Sequence, residues 1–179
     1  MDRNDALSAA AERGRLRLIQ HGAAIAVIGL LSGFGMVFAI LDAIHVWPVT
    51  IPYDGAIPGS ERGWRVAHVA GVMNGMLMLL IGLALTTVLP SLRAQAWIVW
   101  GMVYTGWGNT IFFHCANLSS NRGLSAGATR LGEPDLLGAI GYLVGGSTIP
   151  FTLIAVGLLG WSATRALRRS PPAPSRHGI

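Results

Sequence analysis

His68 is an ionisable residue near the start of a long apolar run, and two glycines follow it at helical spacing. Polar groups inside a membrane are costly, so a histidine in such a run is a candidate functional residue. In a helix, His68, Gly71 and Gly75 share one face, which places an imidazole above a strip without side chains. A flat ligand such as a porphyrin could approach that strip. The alternative is a helix-packing motif with a hydrogen-bonded histidine beside it.

Four apolar stretches must position these residues. The chain has 179 residues, of which 52% are hydrophobic and only 12% are charged. A helix of about 20 residues crosses a bilayer, so the composition predicts an all-α fold, an integral membrane four-helix bundle. The predicted single domain covers residues 1–165, and a basic, proline-rich, disordered tail covers 166–179. The spans lie near residues 18–47, 64–90, 96–116 and 136–162.

The charged residues orient these spans. All thirteen basic residues are arginines, concentrated in the N-terminal segment, the turn near residue 93 and the tail. The positive-inside bias therefore predicts a multi-pass protein of the cell membrane with both termini in the cytoplasm. Anionic lipid headgroups explain the basic ends, so no nucleic-acid partner is implied. Cys115 is the only cysteine, which excludes an internal disulfide and a cysteine-cluster metal site.

This topology brings several polar residues to one depth. His45 ends the first span, His68 begins the second, His114 ends the third and Tyr142 lies early in the fourth. All four are predicted toward the non-cytoplasmic side of the membrane. A site could therefore be assembled there.

Five motifs stand out between about residue 57 and residue 140. They are these segments: Ile57-Pro-Gly-Ser-Glu-Arg-Gly-Trp-Arg-Val-Ala-His68, Met73-Asn74-Gly75, Gly106-Trp107 with Asn109, Asn121-Arg122-Gly123-Leu124, and Gly132-Glu-Pro-Asp135. Taken together, they closely resemble the membrane-bound styrene oxide isomerases. That family comprises four-helix membrane proteins that assemble as trimers, hold haem b between subunits and convert aryl epoxides to aldehydes.

The resemblance implies that His68 is the axial ligand of a ferric haem b and that Asn74 helps to position the epoxide. Six helical residues separate the directions of these two side chains by about 120°, which suits a site between subunits of a homotrimer. The alternative for Asn74 is an interhelical hydrogen bond, worth about 1 kcal/mol in a membrane bundle.

On the third span the family pattern is a polar stripe that ends in a substrate-orienting tyrosine. Here the stripe reads Thr105, Asn109 and Phe113, with threonine where an acidic residue is expected. Asn109 is retained, but phenylalanine keeps the shape of tyrosine and lacks its hydroxyl. Three other side chains could supply the missing donor: Tyr142, Tyr104 or His114.

Further haem contacts are implied for Gly71, Gly75 and Trp107. Arg122 and Arg130 are candidates for holding the haem propionates, because the guanidinium fork suits carboxylates. They could equally pair with nearby Glu133 and Asp135 or face lipid headgroups.

The predicted function is therefore a haem-dependent isomerase. It would rearrange aryl epoxides such as styrene oxide to aldehydes such as phenylacetaldehyde, by ferric-haem Lewis-acid catalysis and a 1,2-hydride shift. The alternative is a non-catalytic b-type haem protein, an electron carrier or sensor, in which His68 and His114 both ligate the iron. A third reading is a structural membrane protein without a cofactor.

Overall fold

A computed structural model describes residues 2–53, 55 and 57–169 of the chain. It consists of four long helices and one short antiparallel hairpin. In chain order the elements are α1 (Arg3–Leu41), β1 (Ala43–Val46), β2 (Val49–Pro52), α2 (Glu61–Val88), α3 (Leu92–Leu118) and α4 (Leu136–Arg169).

Side-chain caps fix where the last three helices begin. The Ser60 hydroxyl accepts from the Gly63 amide at 3.0 Å, and the Ser91 hydroxyl accepts from the Ala94 amide at 3.4 Å. The Asp135 carboxylate accepts from the Gly138 amide at 2.6 Å in front of α4. Such caps satisfy backbone donors that the first turn of a helix leaves unpaired. The apolar stretches predicted near 64–90, 96–116 and 136–162 accordingly lie on α2, α3 and α4.

The first predicted span, near residues 18–47, is helical only as far as Leu41. The prediction of helix for residues 42–47 is therefore wrong. Asp42 adopts a left-handed conformation with φ of 47°, which stops α1. The next residues form the hairpin, in which Ala43 pairs with Pro52 and Val46 with Val49. This segment is apolar, but its β-branched residues favour strands over helix. His45 therefore belongs to β1, not to the end of a span, and its Nδ1 lies 2.5 Å from the Thr50 hydroxyl.

The fourth helix is longer than predicted. It continues to Arg169, so residues 166–169 are helical and the prediction of a disordered tail from residue 166 is wrong for these four residues. The remaining residues of that tail, 170–179, lie outside the described residues.

The helices pack as two pairs, α1 with α2 and α3 with α4, joined mainly through α3. Within the described residues α4 makes few contacts with α2 and none with α1. A buried apolar core lies among α1, α2 and α3, with these fully buried side chains at its centre: Leu18, Ile25, Met78, Leu85, Ile98 and Met102.

The outer surfaces of the helices are strongly apolar. Three of them, α1, α2 and α4, are long and apolar enough to cross a membrane. The remaining helix, α3, has 27 residues and does not reach the hydropathy of the other three. Exposed apolar side chains include Leu31, Phe34, Met73, Leu80, Leu143 and Leu153. Apolar surface on this scale is unusual for a soluble monomer and is typical of proteins that face lipid.

Glycines allow α1 and α2 to approach each other closely. A Cβ atom added to Gly71 would lie 2.7 Å from the Cα of Gly29, and one added to Gly75 would lie 2.6 Å from the Gly22 carbonyl oxygen. Such backbone contact is possible only without side chains. Within the chain, the strip below His68 is therefore covered by α1, as the helix-packing alternative for Gly71 and Gly75 describes.

The loop between α3 and α4 is held by buried polar groups. Asn121 is fully buried. Its side-chain Oδ1 accepts from the Gly123 backbone amide at 3.0 Å, and its side-chain Nδ2 donates to the Ser125 backbone carbonyl at 2.8 Å. Hydrogen bonds from the Gly138 amide and then from Ser119 and Ser120 hold the pKa of Asp135 below its ordinary value. The Asn121 and Asp135 motifs therefore have a structural role in closing this loop.

Gly71→Ala should weaken the α1–α2 contact, because its new methyl group meets the Gly29 backbone. Overpacking of this kind typically costs about 1 to 3 kcal/mol, and the melting temperature in detergent should fall. Gly157→Ala on α4 is the matched control, since a Cβ at Gly157 meets nothing within 4 Å. Equal melting temperatures for the two variants would contradict this packing.

Candidate functional site

His68 is oriented by a backbone carbonyl of the neighbouring helix. Its Nδ1 lies 2.8 Å from the carbonyl oxygen of Gly29 on α1. A carbonyl oxygen can only accept, so Nδ1 must carry the hydrogen. The neutral ring then has its lone pair on Nε2, which has no hydrogen-bond partner among the described residues. Metal-binding histidines are commonly held in this way, with one nitrogen donating to a carbonyl and the other left to the metal.

The surroundings of His68 limit the kind of metal it could bind. Within the described residues, no group of three or more His, Cys, Asp or Glu side chains could hold a metal ion. A single histidine suits a metal whose other ligands come from a macrocycle, as in haem. His68 is half-buried, and α1 covers its glycine strip. A macrocycle would therefore approach from a side other than that of Gly71 and Gly75.

His114 differs from His68 because both of its ring nitrogens are engaged. Nδ1 donates to the Thr110 carbonyl at 2.8 Å, and Nε2 lies 3.0 Å from the Ser32 hydroxyl. Its ring also packs edge-on against Trp64. His114 would have to give up its contact with Ser32 before Nε2 could bind iron, so no observation favours the bis-histidine alternative.

Two adjoining cavities lie at the end of the molecule where His114 and the α3–α4 loop meet. The loop cavity, about 630 Å³, is bounded by the start of α2, the end of α3 and the following loop. The helix cavity, about 450 Å³, lies between α3 and α4. Phe112, Phe113 and Leu124 line both of them. The two cavities are therefore neighbours that share an apolar wall.

The helix cavity brings together three of the predicted catalytic residues, Asn109, Phe113 and Tyr142. The Tyr142 hydroxyl has no hydrogen-bond partner among the described residues. The Tyr104 hydroxyl, in contrast, lies 2.6 Å from the Ser147 hydroxyl and its ring lines a separate aromatic cavity. Of the three candidate replacements for the missing tyrosine, only Tyr142 combines a free donor with a place beside Phe113.

Asn74 belongs to a chain of polar contacts across three helices. Asn109 on α3 donates through Nδ2 to Asn74 Oδ1 on α2, at 3.4 Å. Thr148 on α4 lies 3.1 Å from Asn109 Oδ1 and donates to it. Thr105, at the expected acidic position, is buried and bonds instead to Thr152 at 3.0 Å. The interhelical hydrogen bond considered for Asn74 is therefore present, and its Nδ2 remains without a partner among the described residues.

Only one of the two predicted propionate-binding arginines lines a cavity described above. Arg122 lines the loop cavity together with Arg62, whereas Arg130 lines none of the cavities described above. In the part of the chain that the structure describes, neither Arg122 nor Arg130 forms an ion pair; the two ion pairs there join Arg15 with Glu12 and Arg65 with Glu61. Local sequence patterns do not indicate that Arg62 and Arg122 line one cavity, because this depends on how the start of α2 packs near the α3–α4 loop.

Trp107 links α3 to α1. Its indole Nε1 donates to His21 Nδ1 at 3.1 Å, and its ring packs on the buried core. No pattern in the sequence pointed to His21, which lies midway along α1. Trp107 therefore has a packing contact of its own, and a cofactor contact stays a prediction.

Two comparisons with known proteins give matches over most of the chain. Residues 14–164 match the family model for styrene oxide isomerase. The chain is also 28% identical over 156 residues to a styrene-oxide isomerase from Pseudomonas fluorescens, an alignment that covers 85% of this chain and 88% of that protein. Since the family match extends over most of the sequence and includes all four helices, the chain belongs to the styrene oxide isomerase family.

Proposed function

We propose that this protein is a haem b-dependent membrane isomerase that converts aryl epoxides of the styrene oxide type into aldehydes of the phenylacetaldehyde type. Family membership supports epoxide isomerisation. The observation that carries the haem proposal is the hydrogen bond from His68 Nδ1 to the Gly29 carbonyl. It leaves Nε2 of a fixed imidazole available to a metal.

His68 would hold the haem iron, and Arg62 with Arg122 would hold its propionates. Bound there, ferric haem would supply a Lewis acid for the epoxide oxygen. The two guanidiniums have no carboxylate partner among the described residues, and they line one cavity. Bidentate pairing with carboxylates suits arginine particularly well. Arg62 thereby takes the place that the sequence suggested for Arg130.

Asn74 and Tyr142 would orient the substrate. An epoxide oxygen has lone pairs and no hydrogen, so it can only accept hydrogen bonds. Asn74 Nδ2 and the Tyr142 hydroxyl are donors without partners among the described residues. The apolar side chains of Phe112 and Phe113 offer a surface for an aryl ring and help to exclude water. Exclusion of water matters because water would capture the benzylic cation and give a diol.

The proposed setting is a homotrimer in the cell membrane with both termini in the cytoplasm and haem between subunits. The arginine distribution supports that orientation. The exposed apolar side chains of α2, including Val69, Met73 and Met76, support contact of this helix with lipid or with another subunit. Aryl epoxides dissolve in lipid, so the substrate would enter from the bilayer.

His68→Ala should insert normally and purify with little haem, because the proposed protein bond to iron is lost. The haem content per protein, measured from the Soret absorbance, checks this expectation. His45→Ala is the control and should retain haem, since His45 lies in the hairpin and contacts Thr50. Full haem content in His68→Ala would remove His68 from the site.

The oxidised protein should convert styrene oxide to phenylacetaldehyde without an electron donor or nicotinamide, because a rearrangement neither gains nor loses electrons. Dithionite should suppress the rate, since ferrous iron is the weaker Lewis acid. Product analysis by gas chromatography tests the proposed function directly. A requirement for reductant, or the diol as product, would contradict it.

Tyr142→Phe should lower turnover by about 10- to 100-fold, the equivalent of one lost transition-state hydrogen bond of about 1 to 3 kcal/mol. Haem content should not change. Tyr104→Phe is the matched control, because that hydroxyl contacts Ser147 beside a different cavity. Phe113→Tyr should give little gain while Tyr142 is present. If turnover falls equally in the Tyr104 and Tyr142 variants, or in neither, Tyr142 is not the replacement donor.

A further inference from the structure

Thr148 is a buried polar residue with a restricted position between α3 and α4. Its side chain is only 2% exposed. Its methyl group lies so close to α3 that a Cβ atom on Gly108 would be 2.4 Å from Thr148 Cγ2. The absence of a side chain at Gly108 therefore lets Thr148 reach Asn109, and the tight packing holds the hydroxyl in place.

The Thr148 hydroxyl has one hydrogen and two acceptors within reach. Asn109 Oδ1 lies at 3.1 Å and the Gly145 carbonyl at 2.7 Å. The Gly145 carbonyl lies inside α4, where a carbonyl ordinarily also accepts from the backbone amide four residues later, here that of Ile149. Asn109 Oδ1 has no other hydrogen-bond donor among the described residues. Asn109 Oδ1 is therefore the acceptor that depends on the Thr148 hydroxyl hydrogen.

The direction of this hydrogen bond determines the direction of the next ones. A carboxamide has a donor end and an acceptor end. When Asn109 accepts from Thr148, its Nδ2 is left to face Asn74 Oδ1, at 3.4 Å. Asn74 then accepts on one end and keeps its Nδ2 hydrogens for another group. If the Asn109 amide were reversed, Asn74 would present its side-chain carbonyl to the substrate instead. That carbonyl and the epoxide oxygen are both acceptors, so no hydrogen bond could form between them.

We propose that Thr148 is a positioning residue whose hydroxyl fixes the polarity of the Asn109–Asn74 amide pair, so that Asn74 offers N–H groups to the epoxide oxygen. This inference rests on the proposed function, because it assigns the substrate-facing group of the same site. Thr148 acts through two other side chains and does not itself need to touch the substrate.

Thr148→Val and Thr148→Ser are matched variants for the test. Valine keeps the shape of threonine and removes the hydroxyl, whereas serine keeps the hydroxyl. Thr148→Val should lower kcat/KM for styrene oxide about tenfold, the effect of roughly one lost hydrogen bond. Haem content and the Soret spectrum should stay unchanged. Thr148→Ser should remain within about twofold of the unmodified protein. Equal losses in both variants would overturn the proposal.

A double-mutant cycle with Asn74→Ala separates positioning from packing. Thr148 is expected to act only through the amide pair, so Thr148→Val should cause no further loss once Asn74 has been removed. Residues that act independently instead give multiplicative losses. A further tenfold loss in the Asn74→Ala background would assign Thr148 a packing role and overturn the proposal.

Isotope-edited infrared spectroscopy tests the hydrogen bond without any substrate. In the haem-loaded protein labelled with ¹³C-asparagine, Thr148→Val should shift one side-chain carbonyl band to higher frequency, because Asn109 Oδ1 loses its donor. Thr148→Ser should leave the band in place, and an Asn109→Ala sample should lack it. An unchanged band in Thr148→Val would overturn the polarity proposal. If the unmodified protein does not turn over styrene oxide, the isomerase proposal fails, and this spectrum still decides the role of Thr148.

Discussion

The hydrogen bond from His68 to the Gly29 carbonyl depends on how closely α1 and α2 approach each other. A helix carbonyl already accepts from its own helix, and a side chain of another helix reaches it only where the two backbones are near. Gly29 and Gly71 provide that proximity, since a Cβ on either would meet the other at 2.7 Å or less. Gly33 leaves room for the imidazole ring itself, because a Cβ there would lie 3.0 Å from His68 Nδ1. The glycines thus act on the histidine through helix packing.

Hydrogen bonds between helices also determine where the proposed substrate-facing donors lie. Polar side chains in an apolar bundle need partners, and Asn109 obtains two of them by bridging α2 and α4. The bridge uses each end of the amide once and leaves Asn74 with unpaired hydrogens. Tyr142 supplies another donor beside Phe113. The proposed site therefore consists of a fixed imidazole on one side of α2 and a set of donors at the contact of α2, α3 and α4.

The sequence predicted the helices well because length and hydropathy determine where a chain can form spans. It placed the end of the first helix too late, because hydropathy alone does not distinguish an apolar hairpin from the end of a membrane span. The apolar residues of this hairpin are Ile44, Val46, Val49 and Ile51. It predicted His68 and Tyr142 as site residues from their depth in apolar stretches. Asn74 and Asn109 came from the resemblance to the styrene oxide isomerases, and all four roles stay predictions. It could not tell that α1 would cover Gly71, or that Arg62 would line the same cavity as Arg122. Those outcomes depend on which helices are neighbours and on the path of a loop, which local sequence patterns do not contain.

Chemical rescue of His68→Ala tests most directly the proposal that His68 binds iron and that the Gly29 carbonyl holds its imidazole ring. Imidazole and 1-methylimidazole both offer a nitrogen lone pair to iron, but only imidazole has an N–H left to donate to Gly29. Added imidazole should restore haem binding and epoxide turnover in His68→Ala, whereas 1-methylimidazole should restore far less of either. Equal rescue by the two ligands would show that the hydrogen bond to Gly29 is not required. Absence of rescue by both would contradict His68 as the iron ligand.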